Sequence, residues 1–191
     1  MVALASEASR FARLLVGSPR AALARVSRGL GVARAAYQFR RCDCGELVFA
    51  EGPVRVVADG HLTIGARAQF SRGLLQTELL CGEGAELVIG EYALVNYGSS
   101  FRALRSVRVG ARCRVGSMVS VRDHDGDRTA PVRIGDDVWL AHGAAVEPGV
   151  TIGDGSIVST RSVVCDDVPP RSLAIGNPAT SIPIDAVRRK R

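Results

Sequence analysis

Residues 134–168 read IGDDVWLAHGAAVEPGVTIGDGSIVSTRSVVCDDV, and within them an aliphatic residue returns every six positions: Ile134, Leu140, Val146, Ile152, Val158 and Val164. Four residues after each of these stand Val138, Ala144, Val150, Ser156, Ser162 and Val168, so small residues share the interior with large ones. A period of six fits neither an amphipathic helix, with its period of about 3.6, nor the strict alternation of a hairpin strand. It fits short strands joined by tight corners, each coil stacked on the one before with the aliphatic anchors inside. That architecture is a parallel β-helix.

The beat extends upstream with breaks. Ile64 and Phe70 begin it, Ile89, Val95 and Phe101 resume it, and Val109, Val115 and Val121 follow after a slip of two residues. Ile134 lies thirteen residues beyond Val121, one more than two repeats, so a segment leaves the coil between Arg122 and Arg133. The 191 residues divide into a basic N-terminal helical segment (1–41), a β-helix domain (42–182) with an extruded loop at 122–133, and a basic tail (183–191). The 21 glycines suit a corner-rich β architecture, and an aromatic content of 5% suits a narrow prism filled by Val, Ile and Ala.

Charge is unevenly placed. Residues 1–41 hold eight Arg and one Glu, whereas 42–187 hold 13 basic and 18 acidic groups, and Arg188, Arg189, Lys190 and Arg191 end the chain. The acidic body lacks a basic face interleaved with aromatics, which argues against nucleic acid as a partner. No stretch approaches the roughly 20 apolar residues that span a bilayer, so a soluble chain is expected. The N-terminal stretch has no continuous apolar run or small-residue cleavage site and does not read as a secretory signal. Ser18-Pro19 reads as a helix start, with Leu23, Val26 and Leu30 on one face before Gly31; this short helix is expected to pack on the coil or to meet an anionic membrane surface. Five widely spread cysteines, Cys42, Cys44, Cys81, Cys113 and Cys165, lack paired metal-ligand spacing and suit a reducing cytoplasm. Cys113 falls on an inward position and reads as a small buried hydrophobe.

The candidate chemistry lies where the repeat breaks. In Arg122-Asp123-His124-Asp125-Gly126-Asp127 an imidazole stands between carboxylates on the projecting loop. A histidine near its ordinary pKa takes a proton at neutral pH, and a neighbouring carboxylate fixes its tautomer and raises its basicity. Either Asp123 or Asp125 would serve.

The ordered motifs Ile134-Gly135-Asp136-Asp137-Val138-Trp139-Leu140, Glu147-Pro148-Gly149-Val150-Thr151-Ile152-Gly153-Asp154-Gly155, Asp167-Val168-Pro169-Pro170 and Gly176-Asn177-Pro178-Ala179 give the sequence a family likeness. The chain resembles the hexapeptide-repeat acyltransferases, in particular the galactoside, maltose, xenobiotic and polysaccharide O-acetyltransferases, closely over 107–182 and more loosely over 56–106. The resemblance implies an all-β, left-handed parallel β-helix that assembles as a homotrimer with active sites between subunits. It implies His124 as catalytic base, oriented by Asp123 or Asp125, and acetyl-CoA lodged near Ala141, His142, Thr160 and Cys165. Direct transfer in a ternary complex to a sugar-type acceptor follows, with a backbone N–H near Ala141 on the oxyanion and Asn96 matching an acceptor contact. Where many relatives carry basic residues toward the cofactor's phosphates this chain has Asp166, Thr180 and Pro183, and Arg161 or the terminal basic run would substitute.

Two other readings compete. A zinc-dependent lyase on the same scaffold, like the hexapeptide-repeat carbonic anhydrases, needs three converging imidazoles, and His61, His124 and His142 show no close pair. A non-catalytic β-helix serving assembly or binding gives no reason for the Asp-His-Asp loop. The cofactor that the resemblance implies is acetyl-CoA, and no metal is expected.

Overall fold

A computed structural model describes residues 19–188. From Asp43 the chain winds through six coils, each contributing one short strand to each of three faces, and a seventh strand is added to the second face. The first face stacks Asp43–Cys44, His61–Ile64, Glu86–Ile89, Ser106–Val109, Val132–Ile134 and Thr151–Ile152. The second stacks Phe49–Ala50, Gln69–Phe70, Leu94–Val95, Arg114–Val115, Trp139–Leu140, Ile157–Val158 and Ser172–Gly176. The third stacks Val54–Ala58, Thr77–Cys81, Ser100–Ala103, Ser120–Arg122, Ala145–Val146 and Val163–Val164. Neighbours within these runs pair in parallel, and the fold is the left-handed parallel β-helix that the repeat and its likeness led us to expect.

Register explains the period. Ile64, Ile89, Val109, Ile134 and Ile152 lie one above another on the first face, and Phe70, Val95, Val115, Leu140 and Val158 do so on the second. All of these side chains are buried, as are Val138, Ala144, Val150, Ser156, Ser162 and Val168 four residues after each anchor. Each coil turns through left-handed residues such as Arg112, Asp137 and Arg161. Asp136 and Asp154 stabilise successive corners by accepting the N–H groups of Ala111 and Asp136, each at 2.8 Å. Position 135 is glycine because a Cβ there would lie 2.1 Å from Asp154 Oδ1.

The interior serines are bonded rather than tolerated. Ser156 Oγ donates to the Pro169 carbonyl at 2.8 Å and accepts the Ser172 N–H at 3.2 Å. Ser156→Val completes the aliphatic pattern on paper, yet it strips both backbone groups of their partner and is expected to cost about 1–3 kcal/mol by urea denaturation. Cys113 is buried as expected; burial pushes its thiol up to about 11, and it donates to the Gly135 carbonyl at 3.1 Å.

Helix α1, Pro19–Gln38, lies against the first coil. Its path corrects the expectation of a helix ending at Gly31 with Leu30 inward: Leu30 is 64% exposed, and Gly31, Ala35 and then Phe39 face the coil. The reason is close approach, since a Cβ at Gly31 would overlap the Phe49 ring. Phe39 seats against Phe70 with ring centroids 5.1 Å apart. Ser18 and the side chains of Leu23 and Val26 lie outside the described residues. At the other end, Ala179–Pro183 returns antiparallel to Ser172–Gly176, and helix α2, Ile184–Arg188, follows. Among the described residues no helix is long and apolar enough to cross a membrane.

Candidate active site

The chain leaves the third face after Arg122 and rejoins the first at Val132, forming a small hairpin in which His124–Asp125 pairs antiparallel with Arg128–Thr129. Its base is closed by the Ala130 N–H donating to the Asp123 carbonyl at 2.8 Å. It is tied to the next coil by the Gly149 N–H, which donates to Ala130 O at 3.0 Å.

Asp123 is the pivot. Its side chain is 0% exposed, and its carboxylate accepts the N–H groups of Leu104 at 2.9 Å and of Arg105 and Ser106 at 2.7 Å each, all from the corresponding corner one coil below. The remaining interaction is with His124, whose Nδ1 lies 3.0 Å from Asp123 Oδ1. Burial alone would raise this carboxyl. The Leu104 N–H, the imidazole and the N–H groups of Arg105 and Ser106 outweigh burial and hold it below the usual carboxylate range. An ionised carboxylate only accepts, so Nδ1 carries the hydrogen and the Nε2 lone pair is left free. His124 is 26% exposed, which leaves the ring open to a reactant. Asp125, the alternative orienting group, is exposed and lies in register with Arg128.

Arg122 sets the root of the hairpin through a two-pronged ion pair with Glu147 of the next coil, at 2.8 and 3.0 Å from Nη2. Neither this pair nor the corner beneath Asp123 was anticipated. The second was within reach, because Leu104 to Ser106 precede Asp123 by about one coil.

The repeats around this histidine have known counterparts. Residues 131–166 match the family described as bacterial transferase hexapeptide (six repeats). A Schizosaccharomyces pombe protein named as an acetyltransferase is 34% identical over 110 residues, 52% of this chain and 53% of that protein. An Escherichia coli K12 protein, WcaF, named for colanic acid biosynthesis as an acetyltransferase, is 34% identical over 105 residues, 51% of this chain and 58% of its own. The chain thus spans little more than half the length of these relatives. A hexapeptide-repeat acetyltransferase from Vibrio cholerae, solved with acetyl-CoA, superposes with a TM-score of 0.56 over 87% of this chain and 89% of its own at 22% identity, a likeness of fold.

The hexapeptide coil distributes the remaining expected residues over two ridges of the prism. Ala141, His142, Thr160 and Arg161 stand together on the ridge between the second and third faces, where the Arg161 N–H donates to His142 O at 2.9 Å. Asn96 is half-buried on that ridge two coils below, its N–H bonded to Val115 O. His124 and Cys165 lie on the other ridge, between the third and first faces. One chain therefore does not bring His124 and the His142 group together. Of the backbone N–H groups near the expected oxyanion position, that of Ala141 is spent on Val158 O at 2.9 Å, because residue 141 still continues the sheet ladder. The N–H of His142, at the apex of the corner, has no acceptor among the described residues. His61 is elsewhere again, with Nε2 3.4 Å from Asp43 Oδ2 on the first face. Among the described residues no three His, Cys, Asp or Glu side chains converge as a metal site requires.

Proposed function

We propose that this chain is an acetyl-CoA-dependent O-acetyltransferase acting on a hydroxyl of a sugar or polysaccharide precursor, with 42–182 as its acyltransferase domain. The observation that carries the reading is the His124 imidazole held through Nδ1 by a buried carboxylate, with Nε2 free. His124 Nε2 takes the proton of the acceptor hydroxyl as that oxygen attacks the thioester carbonyl. The imidazolium then returns the proton to the departing thiolate, so transfer is direct and no acyl-enzyme forms. Asp123 orients the ring and stabilises its charged form.

Separation of His124 from the His142 ridge favours a site completed between copies, in a homotrimer. There the His142 ridge of one copy would offer the thioester, and the free N–H at residue 142 would meet the developing oxyanion. Arg161 on the same ridge would answer the cofactor's phosphates, and Asn96 would touch the acceptor. The sugar-type acceptor is supported by the name of the E. coli relative, and a cytoplasmic site of action by the supply of acetyl-CoA.

The test is thiol release from acetyl-CoA with a panel of sugar acceptors, alongside the shift of melting temperature on adding CoA. Release that requires both the chain and a sugar, together with a positive shift, is expected. No release and no shift would instead establish a non-catalytic binding module.

A further inference from the structure

Arginines of the coil are mostly engaged within the chain. Arg55 and Arg102 meet Glu78, Arg108 meets Glu86, Arg112 meets Asp136 and Asp137, Arg122 meets Glu147, and Arg171 meets Asp185. Arg67 bonds the Tyr92 hydroxyl, and Arg114 lies over the Trp139 ring. Arg72 and Arg161 on the second-to-third ridge are exposed without such a partner among the described residues, and so are three arginines around the His124 hairpin. The guanidinium groups of Arg105, Arg128 and Arg133 are exposed and have no acceptor among the described residues.

Arg105 is held most firmly. Its backbone N–H donates to the same Asp123 carboxylate that holds the imidazole, and its carbonyl accepts the Glu86 N–H at 3.0 Å. The chain thus fixes its Cα one coil below His124. Arg128 lies across the hairpin from Asp125, and Arg133 enters the first face directly after the hairpin, in register with Arg108 and Thr151. The hairpin's own exposed carboxylates are Asp125 and Asp127.

We infer that the acceptor is anionic, a sugar bearing a carboxylate or phosphate group that Arg105 binds, with Arg133 and Arg128 beside it. The inference rests on transfer at His124, which requires the acceptor hydroxyl at Nε2 and hence the rest of the sugar near these groups. A guanidinium fork matches either anion with two parallel N–H bonds. The cofactor's phosphates are the other source of such an anion. With the thioester at His124, however, the pantetheine arm holds those phosphates well away from the hairpin root.

Steady-state kinetics on matched acceptors, a glucuronoside, a glucose phosphate and a neutral glucoside, test the assignment, with acetyl-CoA titrated separately. The charged acceptors should have the higher kcat/KM. Arg105→Ala should reduce that preference by about 10-fold or more through the acceptor KM, the scale of losing a charge-assisted pair. Arg105→Lys should restore part of it. The KM for acetyl-CoA should not move, and Arg72→Ala, at an exposed arginine on the second-to-third ridge, should leave the preference intact. The substitution keeps the backbone N–H that Asp123 needs, so the fold is retained. Equal use of charged and neutral acceptors, or an effect of Arg105→Ala on the acetyl-CoA KM alone, would overturn the inference while leaving the transferase reading standing. Absence of transfer to every acceptor would overturn both.

Discussion

Replacing His124 with alanine should slow acetyl transfer by about 100-fold or more, the usual contribution of a positioned general base. The loss should fall on kcat, because the imidazole acts on the proton as the hydroxyl attacks and contributes little to holding either substrate beforehand. The ring is partly exposed, and among the described residues it bonds only Asp123, so the melting temperature should change little. Wild-type turnover in the thiol-release assay would remove His124 from the mechanism.

Asp123 carries the second large effect, and it acts on two quantities at once. Asp123→Ala leaves three backbone N–H groups at Leu104, Arg105 and Ser106 without their acceptor. A fully buried unsatisfied donor costs about 1–3 kcal/mol and these half-buried ones less, so the urea midpoint should fall measurably. Asp123→Asn is the more informative change. Its amide keeps the shape but can donate to Nδ1, which moves the imidazole hydrogen to Nε2 and removes the base; activity should fall by about 100-fold or more. Stability should show the matching pH signature. The folded carboxyl titrates below the unfolded one, so its stabilisation is complete above the unfolded value near about 3.9 and fades as pH falls through the lower folded value. Urea midpoints of parent and Asp123→Asn should therefore differ most above about pH 4 and converge under stronger acid. A gap independent of pH would show that the carboxylate charge is not what the corner binds.

The fold was largely legible in the sequence because a β-helix repeats one local rule. From Ile134 to Val164 each anchor meets its copy from an adjacent coil, so spacing alone tells which side chains are buried. The rule is silent where contact is not periodic. Helix α1 was misjudged at Leu30 because hydrophobicity pointed one way while the small residues Gly31 and Ala35 allowed closer packing another way. At the candidate site, Asp123 and His124 were visible as neighbours, but the choice between Asp123 and Asp125 depended on backbone donors from Leu104 to Ser106. Corners at Ala141 and His142 look alike as text. Only the ladder distinguishes the N–H that bonds Val158 from the one that remains free.

Helix α1 on the first coil has a consequence for how the molecule behaves in a crowd. A stack of parallel strands ends in a row of unpaired amides and carbonyls that offers the next chain the same welcome it gives its own coils. With Gly31, Ala35 and Phe39 laid over that end, docking there requires peeling away a helix first. Truncating the chain before Asp43 should therefore uncover Ala50 and Phe70 and favour end-to-end growth, read as larger species by light scattering.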